Sequence, residues 1–125
     1  MAHLFVLVVD DDENIGRFFQ TAFRVEGVSV VYFPSALEAL QWVDRETPAL
    51  AVIDVMMPGM NGVELCQALR SRDGTRELPI VLLSATEEAE LKRIASQVKA
   101  VAFVKKPFAP RHVFELMRWH LAQQQ

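Results

Sequence analysis

Three consecutive aspartates, Asp10-Asp11-Asp12, follow the first short apolar run of the chain, and Asp54 follows the third. Ser84 stands directly after the fourth run, and Lys106, just before Pro107, closes the fifth. If Asp10, Asp11 and Asp54 come within a few ångströms of one another, their carboxylates repel strongly at low dielectric. A raised pKa or a bound cation relieves that repulsion. Oxygen ligands without His or Cys favour a hard ion, Mg2+ over Zn2+. Mg2+ keeps several waters and bridges carboxylates to phosphate oxygens. With the positive charge of Lys106 and the hydrogen-bond donor of Ser84, the set makes a site for a tetrahedral or trigonal anion beside a metal. That is phosphoryl-transfer chemistry, where positioning and charge neutralisation do most of the work. A carboxylate there can accept the phosphoryl group as an acyl phosphate.

Each residue also has an ordinary reading. Asp12 is expected to be a turn former or helix N-cap, with Asn14 as the other candidate cap. A lone Ser after a strand is commonly a cap, and a Lys before Pro a solvated surface residue. Only an architecture that brings them together turns them into a site, and the chain has one. Leu4 to Val9, Leu50 to Ile53 and Ile80 to Leu83 are short, unbroken apolar runs, as expected of strands buried on both faces. Val28 to Phe33 and Val101 to Val104 are two further candidates. Between them lie five amphipathic helical patterns. Ile15, Phe18, Phe19, Ala22 and Phe23 form the first, with Gly27 as its stop. Ala36, Ala39, Leu40 and Val43 form the second, capped by Ser35. Leu65, Ala68 and Leu69 follow Asn61-Gly62. Leu91, Ile94, Ala95 and Val98 form the fourth. Val113, Leu116, Met117 and Leu121 form the fifth, opening after Pro110. Five successive βα units predict a parallel sheet covered on both faces. The carboxyl ends of such strands share one edge, where ligands bind.

Length and composition agree. The chain has 125 residues, which fits one domain, here taken as 1–125 with a frayed polar tail over 122–125. The polar end suits a natural terminus and a cut from a longer chain equally. Hydrophobic residues make up 51% and charged residues 23%, enough apolar surface for a core without metal or disulfide staples. The single Cys66 excludes a disulfide framework and reads as a buried helix residue. No apolar run is long enough for a membrane span, and no basic region opens a signal peptide. The net charge of −3 and the lack of a basic recognition helix argue against direct nucleic-acid binding. A cytoplasmic α/β domain is expected.

Four stretches now stand in order: Val6-Leu-Val-Val-Asp-Asp-Asp12, Ala51-Val-Ile-Asp-Val-Met-Met-Pro-Gly-Met-Asn-Gly62, Leu78-Pro-Ile-Val-Leu-Leu-Ser-Ala85 and Phe103-Val-Lys-Lys-Pro-Phe108. With these, the chain resembles the receiver domain of two-component response regulators over nearly its whole length. The resemblance implies a doubly wound, flavodoxin-like sheet of five parallel strands in the order 2-1-3-4-5, flanked by five helices. It implies Asp54 as phosphoacceptor, and Mg2+ (with Mn2+ as a substitute) bound by Asp11, Asp54 and the Met56 carbonyl, and by Asp10 through water. Ser84 and Lys106 would hold the phosphoryl oxygens, with Lys106 preferred over its neighbour Lys105 and a cis bond to Pro107. Ser84 and Phe103 would form the conformational switch. The implied partners are a sensor histidine kinase or histidine phosphotransfer protein as donor, and an effector docked on the face of the fourth helix, fifth strand and fifth helix, near Trp119. Dimerisation through the last helices is left open. The domain would be a signalling module that catalyses its own phosphorylation and slow dephosphorylation, not a metabolic enzyme.

Two positions depart from the family pattern: Lys99-Ala100 stands where Gly-Ala is usual, and Asn61 where Asp is usual. Other readings fit less well. A haloacid-dehalogenase-like phosphohydrolase needs a second Asp where Met56 stands. A flavin binder would have its phosphate repelled by Asp10 to Asp12. A phosphorylation-independent interaction module is the runner-up, opposed by the intact acidic residues and Lys106. His120 is expected to be a packed histidine, and His3 and His112 have no motif around them.

Overall fold

The computed structural model describes residues 3–124; of the polar tail, Gln125 lies outside the described residues. In chain order the elements are β1 (Leu4–Val9), α1 (Glu13–Ala22), β2 (Val28–Phe33), α2 (Ala36–Val43), β3 (Leu50–Asp54), α3 (Gly62–Arg70), a 3-10 turn (Asp73–Thr75), β4 (Ile80–Ser84), α4 (Glu88–Val98), β5 (Ala102–Lys105) and α5 (Pro110–Ala122). The five strands are parallel and ordered β2-β1-β3-β4-β5.

The unbroken apolar runs are explained by the two covered faces. Along β1, Leu7 and Val9 join the core under α2, α3 and α4, while Val6 and Val8 join the core under α1 and α5. A residue on either face is therefore withdrawn from water, each fully buried aliphatic side chain contributing about 1.5–3 kcal/mol. β1, β3 and β4 are inner strands and are almost wholly buried; β2, at one edge, is only half-buried along its length.

Local caps start the helices where the side chains allow it. Asp12 caps α1 through the N–H of Asn14, and Ser35 caps α2 through the N–H of Glu38. Asn61 and Glu64 bond each other's backbone N–H at 2.9 and 3.0 Å, a full capping box at the start of α3.

Two local expectations change. The first helix stops at Ala22, not at Gly27. Phe23 turns extended and buries its ring against Phe114, so burial ends the helix before the glycine can. Gly27 instead takes φ 79° in the turn closed by Val28 N–H on the Val25 carbonyl, the position where a type II turn favours glycine. Ala22 is exposed, and the unforeseen inward residue of α1 is Gly16. His120 is half-buried, with its ring edge-on to exposed Trp119 at 4.8 Å, and burial lowers its pKa.

Lys99 takes the left-handed conformation, φ 59°, that glycine takes more cheaply. The N–H of Lys99 reaches the Ser96 carbonyl and that of Ala100 reaches the Ala95 carbonyl, the paired bonds of a Schellman turn. The missing glycine thus leaves the turn intact.

Candidate functional site

Strand register brings the site together. Val9 pairs with Ile53, Asp54 with Leu83, and Ser84 with Lys105. Asp10, Asp54, Ser84 and Lys106 therefore reach the same carboxyl-end rim of the sheet. The Lys106 N–H extends the β4–β5 ladder to the Ser84 carbonyl at 2.8 Å, and the peptide bond to Pro107 is cis.

Asp10 is fully buried, and every acceptor on it is engaged. Its Oδ1 accepts the N–H of Asp12 at 2.9 Å, and its Oδ2 accepts from Lys106 Nζ at 2.8 Å. The same Nζ lies 3.6 Å from Oδ2 of Asp54, whose Oδ1 accepts the Met56 N–H at 3.3 Å. Asp54 is 4% exposed, whereas Asp11 stands in solvent. Oxygens of Asp10, Asp11 and Asp54 all lie within 4.8 Å of one another. Lys106 is the lysine that turns to this cluster, and Lys105 is exposed on β5.

Three carboxylates against one ammonium leave the cluster short of positive charge. Burial, then the neighbouring Asp10, pushes the Asp54 pKa up to about 6, against the pull of Lys106 and the Met56 N–H. For Lys106, burial works against the charge. The hydrogen bond and charge of Asp10, followed by Asp54, outweigh it and hold the ammonium above its usual range. An all-oxygen, electron-rich donor set with one ligand facing solvent fits Mg2+.

Two sequence candidates stand at the rim without touching the carboxylates. The Ser84 hydroxyl is buried and donates to Thr86 Oγ1 at 2.8 Å, and it accepts the Thr86 N–H at 3.1 Å. Phe103 is half-buried on β5 against the core under α4, and lines a cleft of about 320 Å3 with Glu88, Pro107, Phe108 and His112. The Met56 side chain is 64% exposed beside the site.

Sequence reasoning missed the supporting roles of two residues, Gly62 and Tyr32. Gly62 lies so close to the strand end that a Cβ would collide with the Asp54 carbonyl oxygen and come within 2.7 Å of Val55 Cα, so only glycine lets α3 start there. Tyr32, at the end of β2, donates its hydroxyl to the Asp10 carbonyl at 2.6 Å. Burial, then the charges of Asp10, Glu13, Asp12 and Asp11, push its pKa up to about 12, so it remains a donor. Thr86 is the present partner of Ser84. Asn61-Gly62 carried a turn signal but no steric one, and a single tyrosine among strand residues carried none.

Comparison with known proteins assigns the family. Residues 6–118 match the response regulator receiver domain model. The chain is 36% identical over 108 residues to the alkaline phosphatase synthesis transcriptional regulatory protein PhoP of Bacillus subtilis, covering 86% of this chain and 44% of that protein. It is 33% identical over 116 residues to the DNA-binding response regulator MtrA of Mycolicibacterium smegmatis, covering 93% of this chain and 50% of that one. The chain thus spans about half the length of the curated relatives it matches. Among solved structures, the receiver domain of the Francisella response regulator 1452 superposes with a TM-score of 0.87 at 27% identity, covering 98% of this chain and 99% of that one. Among the described residues, no helix is long and apolar enough to cross a membrane. Fold, motif order and relatives agree: this chain belongs to the response regulator receiver domains of two-component systems, which signal rather than carry out metabolism.

Proposed function

We propose that residues 1–125 act as one cytoplasmic receiver unit that takes a phosphoryl group onto Asp54 from a phosphohistidine of a sensor kinase or histidine phosphotransfer protein. The observation that carries this reading is the contact of Lys106 Nζ with both Asp10 and Asp54 inside a cluster of three carboxylates. An Asp54 carboxylate oxygen attacks phosphorus in line. The O–P bond forms as the P–N bond to the donor imidazole breaks, and the imidazole leaves with the electron pair and takes up a proton. Lys106 sits 3.6 Å from the nucleophile and meets the incoming negative charge. Asp11, Asp54 and the Met56 carbonyl would hold Mg2+ or Mn2+ directly, with Asp10 acting through water. When bound, the ion supplies neutralising charge to the phosphoryl oxygens. Slow hydrolysis of the aspartyl phosphate by water resets the domain.

The new dianionic group competes with Thr86 for the Ser84 hydroxyl. Ser84 turns to the phosphoryl oxygen, its loop follows, and Phe103 moves into the vacated space. That shifts the population of the α4–β5–α5 face, which carries Trp119 at 61% exposure, towards the form an effector or a second receiver recognises. The chain itself neither spans a membrane nor contacts nucleic acid in this scheme.

The test is incubation with a small acyl phosphate and Mg2+, followed by intact mass, for wild type and Asp54→Asn. A gain of one phosphoryl group in the wild type alone is the expected result. No gain in either protein would replace this reading with a phosphorylation-independent interaction module. Equal gain in both would move the acceptor elsewhere.

A further inference from the structure

The phenol of Tyr32 is placed where it governs the peptide between the two acidic residues of the site. Its Oη donates at 2.6 Å to the carbonyl oxygen of Asp10, the group that shares a peptide plane with the N–H of Asp11. The Asp10 N–H is bound to the Phe33 carbonyl at 3.3 Å, and both carboxylate oxygens of Asp10 are occupied by Asp12 and Lys106. Asp10 is thus tied at all four of its polar atoms. Asp11 is exposed, and the peptide that precedes it is the fixed group from which its side chain springs.

The ring is held by a steric fit rather than by chance. Gly16 is buried on α1, and a Cβ added to it would collide with the ring of Tyr32. Glycine in a helix interior costs about 1 kcal/mol relative to alanine. Here that cost opens the seat in which the ring lies. The strand β2 pairs with β1 so that Tyr32 stands beside Val8, two residues before Asp10, which aims the ring along the strand towards the site.

We infer that Tyr32, seated on Gly16, is a positioning residue that fixes the Asp10–Asp11 peptide and thereby presents the Asp11 carboxylate to the divalent cation. This rests on the reading of Asp10, Asp11 and Asp54 as the cation site. Tyr32 is the only tyrosine in the chain, so tyrosine labelled selectively with 13C at Cζ gives one ring resonance to follow.

The experiment compares wild type, Tyr32→Phe, Gly16→Ala and Asp11→Ala as full chains. Mg2+ is titrated while the backbone amides and, where present, the tyrosine ring are followed by NMR. Phosphorylation by a small acyl phosphate is then measured as a function of Mg2+. Loss of one hydrogen bond to the site predicts half-saturating Mg2+ raised about 3- to 10-fold in Tyr32→Phe, with the change falling on half-saturation and not on the rate at saturating Mg2+. In the wild type the ring signal should shift along the same binding curve as the amides. Gly16→Ala should shift half-saturation in the same direction by displacing the ring; if it folds poorly, Tyr32→Phe decides alone. A wild type that binds no Mg2+, or an Asp11→Ala that binds it normally, sinks the cation site itself. Normal wild-type binding with Tyr32→Phe unchanged in half-saturation, or slowed only at saturating Mg2+, overturns the role of Tyr32 and leaves the site standing.

Discussion

Two ends of the same sheet both withdraw charge from water, and they do so in opposite ways. At the amino end of β4 and β5, the Arg70 guanidinium gathers carbonyls. Nε reaches Val98, Nη1 reaches Thr75, Arg76 and Leu78, and Nη2 reaches Lys99, over 2.7–3.3 Å. One cation ties together α3, the turn before β4 and the end of α4, and supports the left-handed Lys99. Burial lowers the Arg70 pKa, but each of its three guanidinium nitrogens reaches a carbonyl. At the carboxyl end, three carboxylates cluster, and one lysine pairs with two of them, Asp10 and Asp54. The first arrangement is satisfied and therefore structural. The second lacks positive charge and is held open by backbone and side-chain ties to Asp10, which makes it receptive to a cation. The count of partners per charge, rather than burial, separates a strut from a site.

The sharpest way to break this contrast is Asp54→Asn. Phosphorylation should vanish by intact mass while the fold survives by circular dichroism. Next in size, Asp11→Ala should weaken Mg2+ binding at least about tenfold, because it removes the one solvent-facing carboxylate of the cluster; calorimetric titration measures it. At the other end, Arg70→Ala should cost about 2–3 kcal/mol in urea unfolding by leaving several carbonyls without their donor. Mg2+ affinity of the folded protein should stay unchanged, and a drop would show that the two ends are coupled.

The charge deficit also has a pH signature. The Asp54 pKa is raised in the folded protein, so its contribution to stability is fully present below about pH 4 and is lost as pH rises through about 6. In Mg2+-free buffer, the difference in unfolding free energy between wild type and Asp54→Asn should therefore grow by on the order of 2 kcal/mol between about pH 4 and pH 7.5, the wild type losing ground. Saturating Mg2+ should shrink that difference. A flat difference would mean Asp54 is not destabilised by its neighbours. The smallest effect is expected from Ser84→Ala: near-normal phosphate uptake, with a reduced phosphorylation-dependent change in Trp119 fluorescence, read in a Trp42→Phe background. An unaltered fluorescence response would place the switch outside Ser84.

Much of the fold was legible because it is written in short-range patterns. The runs at Leu4–Val9 and Val28–Phe33 became strands with the expected bounds, and the buried stripe of α4 is the one that Leu91, Ile94, Ala95 and Val98 predicted. The end of α1 was misplaced because a tertiary contact, Phe23 on Phe114, overrode the local glycine signal. At the site, the residues following each strand could be identified, but their partners could not. That Ser84 rests on Thr86, that Gly62 must clear the Asp54 carbonyl and that Tyr32 reaches Asp10 are facts of close approach with no periodic signature.

By itself, then, the sequence determined which segments are strands and helices, and which polar residues end the strands. Periodicity and capping act over a few neighbouring residues, so they survive in one dimension. The tertiary structure decided which lysine meets the acid, which hydroxyl is engaged, and how the Asp10–Asp11 peptide is held. Lys106 and Asp10 are 96 residues apart in the chain and 2.8 Å apart in space. Hydrogen bonds and steric exclusion act only at such distances, and only the packed sheet brings these groups within them.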